Sequence, residues 1–101
     1  MAECTIGEYP GGPPLGSQAI KGSTCLVRQV LNVAGASSPS QPFGGDTKTV
    51  RIWTDTKMAW RFGKAGAGTP VALVTDEGMS AGQTEYFVVE SGDLFAVIGI
   101  V

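Results

Sequence analysis

The chain has 101 residues, of which 43% are hydrophobic and 16% are charged, and its formal net charge is −2. This length predicts one domain, and so few basic residues argue against a surface that neutralises nucleic-acid phosphates. The chain has no histidine, which removes the usual general base and any Ser–His–Asp or Cys–His catalytic pair. The sequence has no run of about 18 apolar residues, so it predicts no membrane-spanning helix.

The first third of the chain predicts extended structure interrupted by a linker. Met1–Tyr9 is either a first strand or an ordered arm, and Pro10–Gly16 is too rich in Pro and Gly for a helix or a central strand. Thr24–Val33 has apolar residues at helical spacing, but its β-branched valines favour a strand. The N-terminus has no signal-peptide pattern, which predicts a cytoplasmic chain in the producing cell. Cys4 and Cys25 can pair or stay reduced, and such a compartment favours reduced thiols.

Ala34–Gly45 is uncharged and rich in Ser, Pro and Gly. It is either a flexible surface loop or an extended arm that lies on a neighbouring subunit, since structureless loops of this length are uncommon. Phe43 is the only large apolar anchor in the stretch. We therefore take Phe43 as a candidate interface residue.

Thr47–Gly63 contains two alternating runs separated by the polar pair Asp55–Thr56. This pattern predicts a β-hairpin. Trp53 and Arg51 share the opposite face from the first run's apolar residues, and they are interface candidates unless a second sheet covers them. The residues predicted for the core are Val50, Ile52, Met58, Trp60 and Phe62.

The last third predicts a short strand at Pro70–Thr75, a polar loop at Asp76–Thr84 and a terminal hairpin within Glu85–Val101, with its turn at Ser91–Gly92–Asp93. The second strand of this hairpin is apolar on both faces. Predicted core residues here are Phe87, Val89, Leu94, Ala96 and Ile98. The opposite face gives the interface candidates Phe95, Val97 and Val101.

Together these elements predict an all-β protein of six to eight short strands. The expected architecture is an antiparallel β-sandwich or a jelly-roll-like barrel with an extended N-terminal arm. Residues 1–45 would form the arm with the first strands and loops, and residues 46–101 the sandwich core of the single domain.

No motif predicts catalysis, a metal site or a cofactor. The carboxylates fall mostly in turns, where they are usually solvated, and no loop has EF-hand spacing. Gly63–Gly68 lacks the strand–GxxxxGK[ST]–helix context of a phosphate loop. Trp53 and Tyr86 suggest one alternative, a stacking platform for a sugar. We expect no enzyme.

The second half of the chain resembles a known group of proteins. In order, it has the VRI strand at 50–52, a small aromatic strand ending in Phe62–Gly63, the Pro-led strand predicted at Pro70–Thr75, AGQTEYFVV at 81–89, the Gly92–Asp93 turn and a final AVI strand at 96–98. This order resembles small β-sandwich structural proteins from the head gene clusters of tailed bacteriophages, over roughly Pro42–Val101. These are capsid decoration (cement) proteins and related minor head proteins.

The resemblance implies a virion structural protein that binds the capsid surface and stabilises the head. Its expected partners are the major capsid protein and further copies of itself, as a dimer or trimer. It would be made in the host cytoplasm and end in the virion. The alternatives are a head–tail joining or tail component and, in a different class, a carbohydrate-binding β-sandwich module.

Overall fold

A computed structural model of the chain describes residues 2–10 and 25–100. Within these residues all regular structure is β-strand. The strands are β1 (Glu3–Tyr9), β2 (Val27–Asn32), β3 (Ser38–Pro39), β4 (Thr49–Thr54), β5 (Met58–Gly63), β6 (Glu77–Met79), β7 (Thr84–Val88) and β8 (Leu94–Gly99). The prediction of an all-β fold is confirmed. Since the described residues contain no helix, none of them forms a helix able to cross a membrane.

The eight strands form two four-stranded antiparallel sheets that enclose one core, as in a β-sandwich. Sheet A has the order β2-β1-β4-β7 and sheet B the order β3-β8-β5-β6. The edge strands of sheet B are two and three residues long. Such short edges limit pairing with other chains, whereas the edges of sheet A are longer.

Both predicted hairpins are wrong. β4 pairs with β1 and β7, while β5 pairs with β6 and β8, so the Asp55–Thr56 turn carries the chain from one sheet to the other. The Ser91–Gly92–Asp93 turn is present, but it likewise joins β7 of sheet A to β8 of sheet B. Alternation shows that a strand has one buried face. That face is buried equally well in two arrangements. The next strand of the sequence can be its neighbour in the same sheet, or it can lie in the other sheet, on the opposite side of the core.

Glycine is required at the turn between β7 and β8. Gly92 has a φ of 85°, a backbone conformation that side chains disfavour. Asp93 closes the turn, because its carboxylate accepts a hydrogen bond from the Glu90 backbone N–H at 3.0 Å. The Gly92 N–H also donates to the Phe43 carbonyl at 2.9 Å. These bonds fix the start of β8 against the segment that precedes β4.

The N-terminal third belongs to the sandwich. β1 lies between β2 and β4 in the middle of sheet A, so residues 3–9 are not an arm. Thr24–Val33 contains β2, which confirms the strand prediction. Residues 11–24 and Val101 lie outside the described residues.

Ala34–Gly45 packs on its own domain, in contrast to both predictions for it. β3 pairs with β8, and the Ser40 backbone N–H donates to the Phe95 carbonyl at 2.6 Å. Phe43 is 2% exposed. Its prediction as an interface residue is therefore wrong, because its ring completes the core.

The predicted strand at Pro70–Thr75 is also wrong. That stretch is a loop, and the strand β6 lies inside the predicted polar loop, where Met79 pairs with Met58. Three residues with one apolar side chain are too short to show a β period. Pro70 instead lies against Gly63, where an added Cβ would be 2.9 Å from the proline ring. The loop thus crosses the outer face of sheet B.

The predicted core is largely confirmed. Val50, Ile52 and Met58 are 0% exposed and Val89 is 7% exposed. Ala96 is also 0% exposed, but it lies on the outer face of β8 and outside the core cluster. The partly buried aromatic residues packed against the core are Trp60, Phe62 and Phe87. Cys4 and Ile6 of β1 complete the sheet A side.

The faces of β8 are reversed from the prediction. Phe95 and Val97 are 0% exposed and pair with Phe62 and Trp60 of β5, so they face the core and are not interface residues. Leu94 and Ile98 are half-buried on the other face. The two faces of β8 are similarly apolar, and only the register with β5 decides which one turns inward.

Candidate interaction surfaces

A loop on the outer side of sheet B presents the densest run of exposed apolar side chains in the described residues. We call Pro70–Thr75 the apolar loop. Val71, Leu73 and Val74 in it are 59%, 49% and 57% exposed, whereas Ala72 between them is 1% exposed. The sequence predicted a short strand here. The structure instead anchors the small residue and turns the large ones outward.

Three polar contacts hold the apolar loop in place. The Ala72 backbone N–H donates to the Ser37 hydroxyl at 2.9 Å. The Asp76 carboxylate accepts a hydrogen bond from the Leu73 backbone N–H at 2.8 Å and forms an ion pair with Arg61 at 2.8 Å. A loop held in this way presents its side chains with little conformational freedom left to lose on binding.

The tether at Asp76 gives the apolar loop a dependence on pH. The hydrogen bond from Arg61, followed by that from the Leu73 N–H, lowers the pKa of Asp76 below its usual value. Because the pKa of Asp76 is lowered in the folded protein, the carboxylate stabilises the loop fully above the pKa that Asp76 has in the unfolded chain. This stabilisation is lost as pH falls through the pKa of Asp76 in the folded protein. We expect the protection factor of the Leu73 amide, which is the exchange rate of an unstructured amide divided by that of Leu73 at the same pH, to fall in acid, below the ordinary aspartate range of about pH 4.

This prediction is checked by amide exchange followed by NMR, with Asp76→Asn as the comparison. The variant should show fast exchange at Leu73 already at neutral pH. Unchanged protection of Leu73 in the variant would show that the carboxylate does not hold the loop.

The outer face of sheet A carries the other predicted interface residues. Trp53 is 37% exposed and Arg51 is exposed, and both lie on the face of β4 opposite Ile52. Register places Arg51 beside Gly7 of β1 and Tyr86 of β7. Among the described residues, no strand of either sheet covers this face. Their binding role remains a prediction.

Glu8 is a buried carboxylate, the kind of group that can mark a functional site, and the sequence analysis did not single it out. It is 1% exposed, and its carboxylate accepts hydrogen bonds from Gln29, the Gly44 N–H and the Thr47 hydroxyl at 2.8–2.9 Å. The signal was available, because Cys4, Ile6 and Glu8 alternate onto one face of β1. With its oxygens engaged by donors of the fold, this carboxylate is structural.

The two cysteines are free; Cys4 is in β1, whereas Cys25 precedes β2. Cys4 is buried in the core, while Cys25 lies near Tyr9 and is half-buried. Burial, with a smaller contribution from the Asp55 charge, raises the pKa of the Cys4 thiol to about 12. A thiol reagent needs the thiolate. We therefore expect one thiol, Cys25, to react in the folded protein at mildly alkaline pH.

Thiol titration with a chromogenic disulfide checks this expectation, and Cys25→Ser serves as the control variant. The variant should be silent until denaturant unfolds it, and then release one equivalent. Rapid labelling of folded Cys25→Ser would contradict the buried position of Cys4.

The described residues contain no group of three or more His, Cys, Asp or Glu side chains able to hold a metal. They also leave no buried side-chain nitrogen or oxygen without a hydrogen-bond partner. The surfaces on which a function can be argued are thus the apolar loop and the outer face of sheet A. Searches of protein-family models, curated proteins and solved structures gave no match to this chain.

Proposed function

We propose that this chain is a capsid decoration protein, a non-enzymatic virion component that binds the outer capsid surface of a tailed bacteriophage. The sequence order of residues 42–101 resembles such proteins, and the fold is of the expected class. The partners would be the major capsid protein and further copies of the chain.

The observation that carries the proposal is the apolar loop. Three large apolar side chains in it are exposed to solvent, and hydrogen bonds to Ser37 and Asp76 hold the loop backbone in place. Contiguous exposed apolar groups on a small protein mark sites of protein–protein contact. Exposed Leu73 at the centre of the run is the candidate contact residue, since its burial against a partner would remove its apolar area from water.

The mechanism is burial of apolar area at capsid subunit junctions, worth about 25 cal/mol per Å² before the costs of association. One such contact is weak. A self-associated dimer or trimer would engage several capsid sites at once, and its overall affinity would rise steeply by effective concentration.

The test is co-sedimentation of the purified chain with capsids that lack it. We expect wild-type protein to pellet with capsids, and Leu73→Asp to bind about tenfold or more weakly. Thr75→Asp is the matched control, since it adds the same charge at an exposed polar position of the same loop. Equal binding by Leu73→Asp and wild type would remove the loop as the contact, and absence of wild-type binding would remove the proposal.

A further inference from the structure

The outer face of sheet A contains a concavity of about 260 Å³. It lies over β1, between the side chains of β2 and β4. Its lining residues are Thr5, Gly7, Tyr9, Arg28, Arg51 and Trp53. The apolar loop, on sheet B, does not contribute to it.

The concavity exists because a glycine stands in the middle of a cross-strand row. Gly7 pairs with Arg28 of β2 on one side and Arg51 of β4 on the other. Adjacent strands are about 4.8 Å apart, so the two arginines start about 10 Å apart on either side of Gly7. Gly7 is buried, and a Cβ on it would be 3.0 Å from the Tyr9 ring. The ring of Tyr9 therefore lies over Gly7 and forms the floor of the concavity between the two arginines.

The concavity is positively charged. Neither Arg28 nor Arg51 has a carboxylate within ion-pair distance among the described residues, where the ion pairs are Arg61–Asp76 and Lys64–Glu90. Residues 11–24 contain no Asp or Glu. Glu3 is the acidic side chain on the same face of β1, and it lies four residues from Gly7. Two guanidinium groups that converge on one site favour a carboxylate, which they bind through paired hydrogen bonds.

Aromatic and hydroxyl groups surround the two charges. Trp53 pairs with Thr5 across β1 and β4, one row from Arg51, and Tyr86 pairs with Arg51 on β7. Burial is the main cause that raises the pKa of Tyr9, followed by its interaction with Cys25, with which the phenol shares a hydrogen bond, so the Tyr9 ring is neutral at neutral pH. A ring with an apolar face, a carboxylate and several hydroxyls matches this set of groups.

Two other ligand classes fit less well. The concavity lies over β1 and β4, which have strand neighbours on both sides, so a peptide could not add there as a strand. A nucleic acid needs a line of basic groups along its phosphates, whereas this face has two arginines on a chain of net charge −2.

We propose that the concavity over Gly7 binds a uronic acid residue of an anionic polysaccharide, with its carboxylate between Arg28 and Arg51 and its ring against Trp53. This activity is independent of capsid binding through the apolar loop.

The experiment is calorimetric titration of the full chain with an oligogalacturonate, and with a neutral galactose oligomer of the same length. We expect saturable binding of the acidic oligomer, at least tenfold weaker binding of the neutral one, and weakening with added salt. Arg51→Gln and Trp53→Ala should each lower the affinity at least tenfold. Lys57→Gln, which removes the same charge from an exposed position in the β4–β5 turn, should not change it.

Several results would overturn the proposal. These are no saturable binding of the oligogalacturonate, equal affinity for the neutral oligomer, or equal loss in Lys57→Gln and Arg51→Gln. Tighter binding of a single-stranded oligonucleotide or a polyglutamate peptide would assign the site to that ligand instead. Thermal unfolding of each variant confirms the fold, and Arg51→Lys should retain part of the affinity if the charge acts directly. The capsid co-sedimentation assay stays unaffected by these variants, so the two proposals fail separately.

Discussion

Replacing Phe95 with alanine is expected to lower the free energy of unfolding by about 3–5 kcal/mol. Phe95 is 0% exposed in β8. Its ring centroid lies 4.9 Å from that of Phe62 and 5.7 Å from that of Trp60. Trp60 in turn lies 4.9 Å from Phe87 of sheet A. The alanine would therefore leave a cavity in the aromatic cluster that joins the two sheets.

Denaturant unfolding of the variant checks this expectation. The free energy of unfolding of a domain of this size is about 5–15 kcal/mol, so Phe95→Ala could unfold it. Phe95→Leu keeps most of the apolar volume and is included as a milder change that should stay folded. Val88→Ala, at a position that is 61% exposed, is the control and should change stability by about 0.5 kcal/mol or less. A loss below about 1 kcal/mol for Phe95→Ala would place this side chain at the surface and restore the sequence-based prediction.

Replacing Glu8 with alanine is expected to cost about 3–5 kcal/mol, although Glu8 is charged and the change removes no large apolar group. Its loss would leave the Gly44 N–H and the Thr47 hydroxyl without this acceptor, and the Gln29 side-chain amide would keep only the Gln41 carbonyl. An unsatisfied buried polar group costs about 1–3 kcal/mol. The carboxylate ties β1 and β2 to the loop that leads into β4, and the variant should loosen this end of the sandwich.

Two further variants separate hydrogen bonding from charge. Glu8→Gln keeps one acceptor oxygen but turns an NH₂ group toward the Gln29 side-chain nitrogen, and we expect an intermediate loss. Glu90→Ala is the surface control, since the Glu90 side chain is 79% exposed and such pairs contribute about 0–1 kcal/mol. Equal stability of the Glu8→Ala and Glu90→Ala proteins would contradict the structural role of Glu8.

Strand identity could be predicted where the alternation was long. β4 and β5 were recognised from their period-two runs, and β7 and β8 from continuous apolar runs on either side of the Ser91–Gly92–Asp93 turn. Strand partners could not be predicted. The apolar face of Val50 and Ile52 can be buried by any apolar layer. Whether the next strand lies beside this one in the same sheet or in the opposite sheet depends on the packing of the whole chain.

The candidate surfaces show the same limit. Trp53 and Arg51 were found because they alternate with buried residues. The row Arg28–Gly7–Arg51 was not found, since it joins three strands and depends on their register. Leu73 was assigned to a strand because an apolar run predicts burial. In the structure, buried Ala72 anchors the run while Val71 and Leu73 stay exposed.

The most direct test of the proposed function is the copy number of this chain in purified virions of the phage that, under the proposal, would encode it. Quantitative mass spectrometry against the major capsid protein gives this number. The proposal predicts many copies per particle, in a fixed ratio to the major capsid protein. It also predicts that particles made after deletion of the gene lack the protein and have less stable heads. A few copies per particle would indicate a head–tail or tail component, and complete absence from virions would contradict a structural role.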